Sequence, residues 1–566
     1  MSKKRVCIIG GVAGGASVAA RIRRLDEHAD IIMFEKGPHV SFSNCALPFY
    51  LSGMIDDSDK LVLMQPDTFL KRYHIDARVH HEVVKIDAEQ QILHIKHVLT
   101  GEMIQEPYDT LYLSPGAKPI MPKNISGIEK DHVFSVRNVV DIKAIDSYIK
   151  EHDVKHAAVV GGGYIGLEIM ENLKERGLEV TLIEAANQVM RPIDFDMVQI
   201  VHQEIVSKGV ELVVGEAVCA IHNDHLLTNQ GKSIQAEIVI MAIGVLPEVA
   251  LAVDAGIKLG KTGAIEVDHN FKTNLKNIYA VGDAIEVHHA LLHKTTRLTL
   301  AGPAQRQARA AADHLYGRVV KNKGFIGSSS VKVFDMNIAS TGLNANQCLE
   351  NDIRFDSVYI IASDKVSIIP DAKPMHLKLL YEVPTGKILG CQAVGKGDVV
   401  KRVDVAAAMI TMDAHIDDLK DLELCYSPLF STAKDPLNHA ALVALNVING
   451  EYKEVKVSEV RDLVSKGAFI MDVRESHEYE QGHIKGSHHI PMSVFRERLK
   501  DIPKDQPVYI HCRSGQRSYN VVRALMQLGY HDVYNISGSF LGISYYEYYM
   551  DQKLSRDPIV TQYNFN

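Results

Sequence analysis

The chain has 566 residues, 46% hydrophobic and 23% charged, the balance of an ordinary folded soluble protein; at about 100–200 residues per domain it predicts three or four domains. A net charge of −8 speaks against a general nucleic-acid binder, which would be basic, and no stretch approaches the ~20 apolar residues that span a bilayer. Seven cysteines without a CxxC pair and 27 histidines without an HExxH arrangement predict neither a disulfide scaffold nor a metal site.

The basic start breaks at once into glycines, so a signal peptide is not expected and the protein is placed in the cytoplasm. The first element is an apolar strand over Arg5-Val6-Cys7-Ile8-Ile9. The loop Gly10-Gly11-Val12-Ala13-Gly14-Gly15, a helix, and a strand ending in Glu35 follow. This is the βαβ dinucleotide unit. Gly10 permits the tight turn, Gly15 lets helix and strand pack closely, and the helix N-terminus faces a pyrophosphate. Val12 stands where the fingerprint has its middle glycine. Glu35, 25 residues after Gly10, can bind ribose hydroxyls. Ser17, Arg21 and Arg24 share one face of the helix. Arginine forks suit phosphate, so this face predicts an anionic ligand, with Lys71 and Arg72 adding charge. Cys45 follows no core strand, and the positions five residues away are Val40 and Tyr50.

At mid-chain Gly161-Gly162-Gly163-Tyr164-Ile165-Gly166 fits the full fingerprint, with Glu184 placed 23 residues after Gly161. A carboxylate there accepts from the 2′-OH of NAD and repels a 2′-phosphate. Ala185-Ala186-Asn187 supply no arginine, so NADH is favoured over NADPH. The second unit interrupts the first, which resumes near Thr273. From about 325 onward short strands with a turn at Pro384-Thr385-Gly386, then helices between about 398 and 447, predict an α+β domain. Asn449-Gly450-Glu451 reads as a linker and a short α/β unit begins at about Val455.

Two further phrases, Leu113-Ser114-Pro115-Gly116-Ala117-Lys118-Pro119 after Tyr108-Asp109 and Asn277-Ile278-Tyr279-Ala280-Val281-Gly282-Asp283, join the two loops in one order. Together they resemble the FAD/NAD-linked pyridine nucleotide–disulfide oxidoreductases over about residues 4–445. The resemblance implies an α/β fold with two Rossmann-like domains: an FAD-binding domain over 1–120 and 270–325 and an inserted NAD-binding domain over 121–269. A dimerisation domain over 326–447 completes it. It implies that Asp283 binds the flavin ribityl chain. The implied cofactor contacts are Gly10, Ala13, Gly14, Gly15, Glu35, Lys36, Val83, Gly116 and Ala301, and Gly161, Gly163, Tyr164, Ile165, Gly166, Glu184 and Gly244.

Many such enzymes use two cysteines separated by four residues; here one is present. Ser41-Phe42-Ser43-Asn44-Cys45 resembles the segment of coenzyme A disulfide reductases, whose cysteine forms a mixed disulfide with CoA. By that resemblance Ser41 and Asn44 seat the CoA chain, while Ser17, Arg21, Arg24, Lys71 and Lys434 are the other CoA contacts. Tyr426 reaches across a homodimer to the partner's flavin, to hydrogen-bond near the thiolate or supply a proton.

The C-terminal unit, 455–555, carries Met471-Asp472-Val473-Arg474, Glu478-Tyr479 and Gly482-His483-Ile484, then a strand running into Cys512-Arg513-Ser514-Gly515-Gln516-Arg517-Ser518. It resembles the rhodanese framework. A thiolate or persulfide at Cys512 meets helix N–H groups and the charges of Arg513 and Arg517. Four residues separate Cys512 from Arg517; the tyrosine phosphatase loop has five, and the smaller cradle favours sulfur over phosphate. Asp472 and Arg474 read as structural. Cys7, Cys219, Cys348, Cys391 and Cys425 read as buried small hydrophobes. The expected function is an NADH-dependent flavoenzyme reducing CoA persulfide, polysulfide or CoA disulfide through Cys45, with Cys512 carrying sulfane sulfur. An NADH oxidase or peroxidase cycling a sulfenic acid and a sulfur carrier or redox sensor are the alternatives. The expected partners are small thiols, persulfides and disulfides, with neither nucleic acid nor membrane.

Overall fold

The computed structural model describes residues 4–565. The chain forms two compact units, one of residues 1–187 and 213–325, the other of 188–212 and 326–566.

In the first unit the strand Arg5–Ile9 lies between Asp30–Phe34 and Thr110–Leu113, all parallel, with Ile8 opposite both Met33 and Tyr112. Ile75–Arg78 and Ile278–Ala280 form the edges. The central strand is buried on both faces, which is why it reads as one apolar run rather than an alternation. Pairing of Ile278–Ala280 with Thr110–Leu113 returns the chain to this sheet after the second dinucleotide unit. The helix Ala301–Leu315 packs on Ala13–Leu25 through small residues, Ala304, Ala308, Ala311 and Ala312 being buried. In the second sheet His156–Val160 is flanked by Glu179–Glu184 and Ile238–Met241, again parallel.

The second unit holds two sheets. An antiparallel one runs 329–333, 336–342, 388–395, 374–382, 355–363; a parallel one runs 453–455, 533–536, 508–511, 469–472, 488–489. Residues 383–387 form the expected turn between the strands Pro374–Glu382 and Ile388–Gly395. The two sheets are joined at a close approach. Gly538 (φ +75°) begins the helix Ser539–Leu554, and a Cβ there would lie 2.6 Å from a ring carbon of Tyr359. The Tyr359 hydroxyl meets His376 Nδ1 at 2.6 Å. Burial pushes the His376 pKa down to about 3, so the imidazole is neutral. Among the described residues no helix is long and apolar enough to cross a membrane.

Candidate active sites at Cys45 and Cys512

The glycines of the first loop are required sterically. Gly10 has φ +94°, and a Cβ on it would lie 2.0 Å from Ser114 O; on Gly15 it would lie 1.8 Å from Gly10 O. The second loop repeats the construction, with Gly161 (φ +115°) against Ala242 O and Gly166 against Gly161 O, while nothing stands within 4 Å of a Cβ at Gly163. The helices Ala13–Leu25 and Tyr164–Glu175 both start without a side-chain cap and without an acid in the first turn. Their first N–H groups are therefore available to an anion.

Each loop is locked to its acid. Glu35 accepts from the N–H of Gly11 (3.0 Å) and of Gly37 (2.9 Å), and Glu184 from Gly162 (2.7 Å) and Ala186 (2.8 Å). A carboxylate offers about four acceptor sites, so both retain capacity for a ribose hydroxyl. Gly116 and Gly244 take left-handed conformations, and Ile120 N donates to Gly244 O. Val83 is buried in the strand His81–Asp87, Lys36 is exposed, and Ala301 opens another helix that has neither cap nor acid at its start. Burial pushes the Asp283 carboxyl up to about 6. Nearby Gly282 N donates to Gln307 Oε1, and Gln307 Nε2 is buried with no partner among the described residues. Acid-free helix starts, glycine surfaces and this orphaned donor fit two dinucleotides, one at each loop.

Cys45 is the second residue of the short 3-10 helix Asn44–Tyr50. The segment before it is tied to the first glycine loop. Ser41, in the left-handed region at φ 49°, donates its N–H to Gly11 O and accepts from Leu63 N, both at 2.8 Å. The segment after it is tied to the second dinucleotide unit, Ser52 Oγ donating to Asn172 Oδ1 at 2.6 Å and Arg176 donating to Leu51 O. Cys45 thus sits between the first glycine loop and the helix that follows the second. It is exposed by area but recessed enough that loss of water, then the Glu168 and Asp283 carboxylates, pushes its thiol up. Burial, with Glu171, raises Glu168 itself to about 7. Glu168 was not anticipated from sequence; a carboxylate within the largely apolar Tyr164-Ile165-Gly166-Leu167-Glu168-Ile169-Met170 is the signal that could have found it.

The phosphate face needs correction. Arg21 is held by Asp313 on the helix Ala301–Leu315, both largely buried, so its fork serves helix packing rather than a free ligand. Lys71 is paired with Asp67 one turn earlier on its own exposed helix. Ser17 is half-buried, and Arg24 and Asn44 are exposed. Tyr426 and Lys434 are exposed in the second unit, in the segment that also exposes Leu429 and Phe430. Cys7, Cys348 and Cys391 are buried as expected, whereas Cys219 and Cys425 are exposed; Cys219 keeps its sulfur on Leu227 O.

Cys512 stands at the carboxyl end of the strand Val508–His511, just before the helix Gln516–Gln527, and is 1% exposed. Gly515 N donates to its sulfur at 3.2 Å and the Ser518 hydroxyl points to it at 3.6 Å. The helix Ser539–Leu554 supports the loop, with Phe540 N on Cys512 O and Leu541 N on Arg513 O. Arg517 lies beside the Cys512 sulfur and is also paired with Glu478 at 2.6 and 2.7 Å. Asp472 and Arg474 form a fully buried pair at 2.6 Å. Removing one member of such a pair strands the other, so Asp472→Ala should destabilise this domain by about 3–5 kcal/mol, checked by urea unfolding followed through the domain's protease resistance.

The family match decides the assignment. The description "Pyridine nucleotide-disulphide oxidoreductase" fits residues 4–308, more than half of the chain. The chain belongs to that family. This flavoprotein oxidoreductase also matches the family's dimerisation domain over 328–436 and a rhodanese-like domain over 456–545. It is 35% identical to the coenzyme A disulfide reductase of Staphylococcus epidermidis over 435 residues, 77% of this chain and 98% of that one. The crystal structure of reduced Bacillus anthracis CoADR-RHD superposes with a TM-score of 0.93 at 44% identity, covering 96% of this chain and 98% of that one. The structure of an NAD-dependent persulfide reductase from A. fulgidus gives 0.91 at 32% identity, covering 95% and 99%.

Proposed function

We propose that the protein is an NADH-dependent reductase of CoA persulfide and polysulfide, also able to reduce CoA disulfide, working as a homodimer. The observation that carries this is Cys45: an accessible thiol between the first dinucleotide loop and the helix after the second, with no second cysteine in reach along its helix. Its redox partner must then come from substrate. When bound, FAD and NADH supply the two electrons. The Cys45 thiolate attacks the inner sulfur of CoA–S–SH, the S–S bond breaks, and HS⁻ leaves with the electron pair. The resulting Cys45–S–S–CoA disulfide is reopened by two electrons and a proton, giving back the Cys45 thiolate and free CoA thiol.

Glu168 is placed to keep the Cys45 site proton-rich near neutrality, since its carboxyl titrates at about 7. The exposed Tyr426 segment and the dimerisation domain support a partner subunit closing the site, with Tyr426 as the proton donor and Lys434 on CoA. Ser17, Arg24, Ser41 and Asn44 remain the candidates for the rest of the CoA chain. All seven cysteines are free, in keeping with a reducing compartment.

The direct test is mass analysis of the oxidised protein. One CoA should be found in disulfide linkage on the Cys45 peptide and be released by NADH; a Cys45 peptide that carries only sulfenic acid would point to an oxidase or peroxidase cycle instead. A second expectation concerns acidity. Glu168 raises the Cys45 thiol, so Glu168→Gln should move the pH profile of Cys45 alkylation toward lower pH, read from iodoacetamide rates.

A further inference from the structure

Tyr426 and Lys434 lie on the segment 423–434, which runs in turns and bends between the helices Ile416–Lys420 and Pro436–Ile448. Within it only Ser431 is buried, while Tyr426 is 51% exposed, Leu429 59% and Phe430 69%. A segment with so little buried apolar surface belongs to the less stable part of a fold, so its course depends on its anchors. Before it, the Asn438 side chain donates to Leu419 O (3.0 Å), Lys420 O (3.3 Å) and Leu422 O (3.0 Å). At its far end Arg402 reaches in from the helix Val400–Thr411, Nη2 donating to Phe430 O at 3.4 Å and to Ser431 Oγ at 3.1 Å. Arg402 Nε donates to Asp435 Oδ2 (3.3 Å), which also accepts from Ser431 Oγ (2.8 Å). Asp435 in turn caps the helix Pro436–Ile448 through Leu437 N at 3.0 Å. Arg402 also donates to Asp398 O and Asp364 O, at 2.9 and 2.8 Å.

Arg402 is 1% exposed and Asp435 4%. A buried ion pair adds little stability, since apolar residues of similar volume often do as well or better. What this pair adds is geometry, because a planar fork fixes its donor directions. The Ser427 carbonyl accepts from Phe430 N (2.9 Å) and Ser431 N (3.1 Å), so the two residues held by Arg402 also hold the neighbour of Tyr426. On the other side Lys434 directly precedes Asp435, and its carbonyl accepts from Thr432 Oγ1 at 2.6 Å. We propose that Arg402 is a positioning residue for the reduction at Cys45, setting the places of Tyr426 and Lys434 through Phe430, Ser431 and Asp435. The proposal rests on the reading of Tyr426 as proton donor and of Lys434 as a CoA contact. Without the fork the segment shifts, and a displacement of about 1 Å in a catalytic group costs on the order of a hundredfold in rate.

The test is a double-mutant cycle in the full-length holoenzyme, with CoA disulfide as substrate. Arg402→Met alone strands the buried Asp435 carboxylate. The variant measured is therefore Arg402→Met with Asp435→Asn, which removes both charges and keeps a capping side chain at position 435. Its kcat should fall about ten- to a hundredfold and its KM for CoA disulfide should rise, while flavin reduction by NADH in stopped flow and the oligomeric state stay as in the wild type. Arg402→Lys, which keeps the charge without the fork, should fall between the two. Tyr426→Phe should lower kcat by about a hundredfold. In that background the paired substitution should cost little further kcat, because a group already lost cannot be misplaced, whereas the KM rise, which comes from Lys434, should persist. Should the paired variant lack a cooperative thermal transition, Ser431→Ala takes its place in the cycle and should give a smaller, equally non-additive loss. A kcat loss that multiplies with that of Tyr426→Phe, a loss accompanied by a changed oligomeric state, or full kcat in the folded variant overturns the proposal. Wild-type kcat in Tyr426→Phe overturns instead the reading of Tyr426 on which it rests.

Discussion

Cys45→Ser should lower NADH-dependent reduction of CoA persulfide and CoA disulfide by at least about a thousandfold, the scale of removing a nucleophile that forms a covalent intermediate. Serine keeps the size of the side chain and leaves the anchors of the segment intact, since Ser41, Ser43 and Leu51 are held through their backbones. The flavin spectrum should persist, because the Gly10–Gly15 turn and the Asp283 carboxyl are untouched. A serine hydroxyl cannot form the mixed disulfide, so loss of turnover with retained flavin absorbance, followed by stopped-flow reduction with NADH, separates a chemical defect from a folding defect. A variant with full persulfide turnover would remove Cys45 from the mechanism.

Cys512→Ser should abolish sulfur loading of the rhodanese-like domain, again by about a thousandfold or more. The ratio of polysulfide-supported to CoA-disulfide-supported NADH oxidation should fall with it. The reason is local. Cys512 is the one nucleophilic sulfur in its cradle, and its neighbours Gly515 and Ser518 only donate hydrogen bonds to it. Steady-state rates with the two substrates read the ratio; a ratio that does not move would mean that sulfane sulfur reaches Cys45 without passing through Cys512.

Much of this architecture was legible in the sequence because its strongest constraints are local. Gly10, Gly15, Gly161 and Gly166 are forced by contacts of 2.4 Å or less to backbone oxygens, and such contacts leave a fixed spacing. The interrupted first sheet could be read from its two halves for the same reason. What was missed depends on tertiary pairing. Nothing local says that Arg21 meets Asp313, 292 residues away, or that Arg517 pairs with Glu478. Spacing correctly put Ser17, Arg21 and Arg24 on one helix, but could not say which face the helix Ala301–Leu315 would cover. Glu168 escaped because its significance lies in the burial of its helix and the nearness of Cys45, neither of which is written in the motif around Gly166. The exposed Cys219 and Cys425 show the converse: a cysteine without a motif is not buried by default.

The most direct measurement is anaerobic NADH oxidation by the holoenzyme with CoA persulfide, CoA disulfide and polysulfide, compared by kcat/KM with hydrosulfide counted. A higher kcat/KM for CoA persulfide or polysulfide, with one hydrosulfide released per NADH for CoA persulfide, is the expected result. A clear preference for CoA disulfide, or NADH oxidation that proceeds only when oxygen or peroxide is admitted, would contradict it.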